Sequence, residues 1–97
     1  MQTLKEVFLH ELKNKEKQCT EYDKKLNKEP LDTSPEQALM WRKAFKYVKL
    51  ARMHLLSAKH KLQLNDYNAF PYTFGQACSN LGRTYEIYEQ IRNYNQL

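Results

Sequence analysis

Glycine and proline are scarce in this chain, with two and three occurrences in 97 residues. An all-β fold needs turn residues at short intervals, and flexible linkers are rich in the same two residues. Their scarcity argues against both and favours long uninterrupted helices. Long apolar runs are missing as well, since no stretch approaches the roughly 20 residues of a membrane-spanning helix. Lys5 and Glu6 stand where a signal peptide would carry its apolar segment, so the expected compartment is the cytoplasm, of the producing or a host cell. Cysteine is limited to Cys19 and Cys78, distant and without a Cys-x-x-Cys pattern, which predicts two reduced thiols. His10, His54 and His60 share no i,i+3 or i,i+4 spacing, and no glycine-rich phosphate loop, nucleophile elbow or paired-acid motif occurs. The sequence therefore predicts no metal, no cofactor and no catalytic set.

What the chain does carry is a repeated helix-start signal, a hydroxyl residue followed three positions later by Glu or Gln. It occurs at Thr3-Leu4-Lys5-Glu6, Ser34-Pro35-Glu36-Gln37 and Thr73-Phe74-Gly75-Gln76. In such a box the hydroxyl accepts from an orphan backbone N–H, and the third residue reaches back to the cap. Pro35 at the first helical position and Glu36 beside it strengthen the second box. Asn27-Lys28-Glu29-Pro30 closes the first segment, because the residue before proline is pushed out of the α region. Asn65-Asp66-Tyr67-Asn68 closes the second, after Lys59, His60 and Lys61 have placed positive charge at its carbonyl end. These signals predict helices at about 4–27, 35–64 and 74–95. The Asn65 to Tyr72 connection is expected to be a loop whose aromatic residues pack over the core.

Apolar spacing supplies the packing. Trp41, Val48, Leu55 and Leu62 recur every seven residues, with Ala44, Ala51 and Ala58 recurring between them. Large residues alternating with small ones let a partner helix come close. The first helix offers Phe8, Leu12, Cys19, Tyr22 and Leu26, interrupted by Lys15. The third offers Phe74, Ala77, Cys78, Leu81, Tyr85, Tyr88 and Ile91, with Gly82 allowing one close contact. The expected fold is all-α: one domain over 1–97, an antiparallel three-helix bundle or hairpin with a long central helix. Leu39, Met40, Tyr47, Leu50, Met53 and Leu56 lie outside the seam. Either the neighbouring helices cover them or, where the longer central helix outruns its partners, they form an interface.

Charge is the most local property of the sequence. The formal net charge is +5, yet residues 1–30 carry seven Lys against six acids, and residues 65–97 carry two Arg against three acids. Residues 31–64 carry seven Lys and Arg against Asp32 and Glu36 alone, and no acid occurs from Gln37 to Leu64. At 100° per residue, Arg42, Lys46, Lys49 and His60 form one stripe broken by Met53 and Leu56, with Arg52 and Lys59 on its flank beside Phe45. Glu11, Glu16 and Glu21 of the first helix are one means of neutralising that stripe. The other is an anionic partner, either the acidic surface of a protein or a nucleic acid phosphate backbone. Sequence-specific DNA readout has little support, because no short recognition helix, basic arm or zinc-ligand spacing accompanies the stripe.

Two further features stand out. Phe70-Pro71-Tyr72 is an aromatic-proline segment in which the Phe70–Pro71 bond is either cis or trans, the cis form offering a site for a prolyl isomerase. The third helix is rich in Tyr, Asn and Gln; Tyr85 and Tyr88 are expected in the core and Tyr94 as an exposed contact. Taken together, the residues predict a small non-enzymatic helical binding protein, an adaptor, inhibitor or modulator of the kind phages and mobile elements encode. Its expected partner is the acidic surface of a larger protein, such as a nucleic-acid-processing machine. The expected contacts are Arg42, Lys46, Lys49, Arg52, Lys59, His60, Phe70, Pro71, Tyr72 and Tyr94. Non-specific nucleic-acid binding and a homo-oligomeric scaffold closed through the central helix are the alternatives.

Overall fold

The computed structural model describes residues 2–28 and 34–95. Three helices account for most of them: α1 (Leu4–Lys28), α2 (Pro35–Gln63) and α3 (Phe70–Asn95). The fold is the expected all-α bundle, 49 Å along its longest axis. No described helix is long and apolar enough to cross a membrane.

The first two helix starts follow the hydroxyl half of the predicted chemistry. Thr3 Oγ1 accepts from the Glu6 amide at 3.2 Å, and Ser34 Oγ accepts from the Gln37 amide at 3.3 Å. Of the chain around the first break, Glu29, Pro30 and Asp32 lie outside the described residues. From Ser34 onward α2 buries one continuous seam, Trp41, Ala44, Val48, Ala51, Leu55, Ala58 and Leu62, preceded by Gln37. Two clusters form on it. At one end Leu12, Cys19, Leu55, Leu62, Phe70 and Leu81 pack together, and at the other Leu26, Trp41, Val48 and Ile91 do so. The N-terminal half of α1 therefore meets the C-terminal half of α2 and the start of α3, so α2 runs antiparallel to both neighbours. Trp41 Nε1 is the one buried side-chain nitrogen or oxygen without a hydrogen-bond partner among the described residues.

The second connection differs from its expectation. Thr73 does not cap α3; its hydroxyl donates to the Ala69 carbonyl at 3.3 Å from inside the helix. Asp66 is the cap, with Oδ1 accepting from the Ala69 amide at 3.1 Å and its carbonyl accepting from the Phe70 amide. The same residue ends α2. Its amide donates to the Lys61 carbonyl at 2.8 Å and the Asn65 amide donates to Leu62, the paired bonds of a Schellman motif. Asn65 takes the left-handed conformation that motif requires, with φ 58°, which Asn tolerates better than other non-glycine residues. Asp66 thus closes α2 and starts the turn that leads into α3, so the connection spans only residues 64–69, shorter than the expected loop, with Tyr67 packed on the core as anticipated.

Phe70-Pro71-Tyr72 is accordingly the first turn of α3, where proline is tolerated. The Phe70–Pro71 bond is trans, which removes the cis geometry on which a prolyl isomerase site rested. Phe70 is 1% exposed, stacked between Phe8 at 4.5 Å and Phe74 at 5.2 Å. Tyr67 joins the stack at 6.4 Å from Phe8, and its hydroxyl and Lys5 Nζ both donate to Asn65 Oδ1. The aromatic segment therefore ties the start of α1 to the α2–α3 turn.

Within α3 two further expectations change. Tyr85 is 54% exposed, and its neighbour Thr84 is fully buried instead, its hydroxyl donating to the Asn80 carbonyl at 2.9 Å. A small residue that satisfies its own hydroxyl fits where α3 lies close to α2. Gly82 makes no close contact, since a Cβ built there meets nothing within 4 Å. The extra turn at its start also brings α3 to about 39 Å against about 44 Å for α2, so little of α2 overhangs at either end.

Two measurements check this architecture. Urea unfolding of Phe70→Ala should show a loss of about 3–5 kcal/mol, whereas Tyr72→Ala, at a residue 74% exposed, should stay within about 0.5 kcal/mol of the parent. Gly82→Ala, in open space within a helix, should raise stability by about 0.5–1 kcal/mol.

Candidate functional site

The side of α2 turned away from its seam is built by helical repetition alone. At 100° per residue, Arg42, Lys49, Met53 and His60 fall within about 20° of one line, roughly opposite Ala51 and Leu62. Leu39, Phe45, Met53 and Leu56 are exposed on this side, Met53 at 61% and Leu56 at 64%. Neither neighbouring helix covers them, because α1 and α3 both pack on the seam. Arg42, Phe45, Lys46, Lys49, Leu50 and Met53 line a shallow hollow of about 360 Å³. Between α1 and α2, Glu16, Cys19, Thr20, Arg52, Leu55 and Leu56 line a second of about 230 Å³.

Among the described residues, neutralisation from α1 is confined to one pair. Asp23 forms an ion pair with Arg52. Both side chains are partly exposed, so the pair is worth no more than about 0.2–1 kcal/mol. Among the described residues Glu11, Glu16 and Glu21 make no ion pair with α2, and Arg42, Lys46, Lys49 and Lys59 have no carboxylate partner. On α3, Arg92 pairs with Glu89 at 3.4 Å, while Arg83 lies 5.5 Å from the centre of the Tyr47 ring across the helix interface. Lys25 of α1 sits 5.7 Å from the Tyr22 ring and 5.6 Å from the Tyr88 ring, a cation between two aromatic faces. Arg83 and Lys25 thus hold helices together, whereas most of the α2 cations have no carboxylate partner among the described residues.

The sequence-predicted contacts divide accordingly. Arg42, Lys46 and Lys49 gather around one hollow. Lys59 and His60 are exposed a few turns further along α2, beyond Leu56. Arg52 is engaged by Asp23. Phe70 is withdrawn into the core, and Pro71 and Tyr72 are exposed on a different helix. Tyr72 projects about 200° around α3 from Phe70, away from α2, so it does not share a surface with the basic stripe. Tyr94 lies outside the residues whose side chains are described. The apolar members of the face, Phe45, Leu50, Met53 and Leu56, were separable from the seam in the sequence. The same projection that aligned the cations places these residues among them.

The cysteines are separate from this chemistry. Burial pushes the Cys19 thiol up from its ordinary value, with the Arg52 charge opposing that rise; burial likewise raises Cys78, opposed by Lys15. A raised thiol carries less thiolate at a given pH, so both react slowly. Cys19 is buried and Cys78 only half-buried. Iodoacetamide at pH 8, followed by peptide mass spectrometry, should label Cys78 about tenfold faster than Cys19 in the folded protein, and both equally in urea.

No family model, curated protein or solved structure matches this chain.

Proposed function

We propose that the chain is a small non-enzymatic helical binding protein that docks on the acidic surface of a larger protein through the outward face of α2. Its role would be that of an adaptor, inhibitor or modulator. The observation that supports this reading is the cluster of Arg42, Lys46 and Lys49 around exposed apolar side chains, with no carboxylate among the described residues answering them. Like charges at helical spacing repel by a few tenths of a kcal/mol per pair, roughly, and an acidic partner relieves that repulsion while covering the apolar surface. A phosphate backbone would satisfy the cations and leave Phe45, Met53 and Leu56 in water, which favours protein over nucleic acid. Two copies closed through this face would set cation against cation. The free cysteines suit a reducing compartment such as the cytoplasm.

Affinity capture at low and moderate salt tests the proposal. The wild-type chain should recover a protein partner that Arg42→Glu/Lys46→Glu/Lys49→Glu recovers at least about tenfold less, since each rim charge affects encounter and salt dependence. Equal recovery by the two baits would exclude the basic face. Labelled DNA or RNA bound by the wild type and lost by the variant, with no protein captured, would assign the face to nucleic acid instead.

A further inference from the structure

The outward face of α2 has an axial order as well as a sign. Arg42, Lys46 and Lys49 occupy its first part, Leu50, Met53 and Leu56 its middle, and Lys59 and His60 its last part. From Arg42 to His60 the rise is about 27 Å, or five helical turns. Leu50 and Met53 line the first hollow, and Leu56, three residues beyond Met53, lines the second with Glu16, Thr20 and Arg52, so the apolar surface follows the helix axis and ends against a polar wall from α1. At Arg52 and Leu56 the second hollow has α1 for its wall.

We propose that the occupant is an acidic amphipathic helix of the partner protein. Its apolar side chains seat on Leu50, Met53 and Leu56, and its carboxylates meet Arg42, Lys46 and Lys49 at one end and Lys59 and His60 at the other. The inference rests on the docking reading above and adds the form of the partner. A helix of about five turns matches the length of the face and presents apolar residues every three or four positions, the spacing of its middle section. Met53 and the aliphatic stems of Lys46 and Lys49 adapt to such side chains without a preformed pocket.

The other occupants fit less well. A second copy of this chain would bring an acid-free face against itself, because no acidic residue occurs from Gln37 to Leu64. An anionic bilayer would have to take in Met53 to a depth of about 5–10 Å, and Arg42, Lys49 and His60 lie on the same line as Met53 and would be carried in with it. A protein helix avoids this cost by placing a carboxylate opposite each of them.

Selection from a display library of random 20-residue peptides tests the proposal, with three immobilised forms of the full chain as baits. These are the wild type, Met53→Ser/Leu56→Ser, and Arg42→Glu/Lys46→Glu/Lys49→Glu. All five positions are exposed, and an unchanged helical circular dichroism spectrum checks that the variants fold. Peptides enriched on the wild type should carry an excess of Asp and Glu with apolar residues three and four positions apart. They should bind each variant at least tenfold more weakly. Acidic peptides that keep full affinity for the serine variant would overturn the apolar seat while leaving acidic recognition standing. Peptides without acidic bias, or full binding to the charge-reversed variant, would overturn both. Failure to enrich any peptide, or binding of the wild type to phosphatidylserine–phosphatidylcholine vesicles that the serine variant loses while no acidic peptide is enriched, would overturn the helix partner.

Discussion

Ala44, Ala51 and Ala58 have no exposed surface, and their small side chains are what allow a neighbouring helix to lie close along α2. The large residues between them, Trp41, Val48, Leu55 and Leu62, then bury against both neighbours from the same side. Each such side chain contributes about 1.5–3 kcal/mol by leaving water. Because burial is concentrated in one stripe, the remaining circumference of α2 is free to carry residues that no bundle interior would accept. The cationic and apolar outward face is thus a by-product of a narrow seam, and it keeps its geometry because the seam fixes the rotation of the helix.

The two ends of the bundle are secured by different chemistry. At the α2–α3 turn, Phe8, Phe70 and Phe74 stack, and Asn65 gathers donors from Lys5 and Tyr67. At the other end Trp41 packs with Leu26 and Ile91, 5.5 Å from the Phe45 ring. The unpartnered indole N–H of Trp41 costs about 1–3 kcal/mol in principle, which the burial of so large a ring offsets. Cations recur over aromatic faces, Arg83 on Tyr47 and Lys25 between Tyr22 and Tyr88. Those cations serve cohesion, in contrast to Arg42, Lys46 and Lys49.

Local signals in the sequence were sufficient wherever the controlling interaction is local. The caps at Thr3 and Ser34 and the seven-residue seam of α2 depend on residues within one or two turns, and all were legible. The start of α3 was misread because Thr73, with Gln76 after it, matches the capping box and Asp66, followed by Ala69, does not; the turn geometry at Asn65 nevertheless gives the cap to Asp66. Tyr85 and Thr84 are adjacent, and which of them faces inward depends on how closely α3 approaches α2. Compensation of the basic stripe could not be judged in one dimension either, because Asp23 meets Arg52 only once α1 has docked. The cationic part of the candidate face was legible as a composition without acids. Its apolar part was visible but unassigned, since exposure is a property of where neighbours pack.

The shared aspartate between α2 and α3 bears on the order in which the molecule assembles. The six-residue connection over 64–69 closes with little entropy loss, and α2 and α3 pack on each other more extensively than either packs on α1. α1 must then return to a hairpin already in register and secure itself through the stack around Phe70. Arg42, Phe45, Lys46, Lys49, Leu50 and Met53 belong to α2 alone. Transient detachment of α1 would therefore leave that part of the face intact, and its recognition chemistry is decoupled from the least extensively packed helix of the fold.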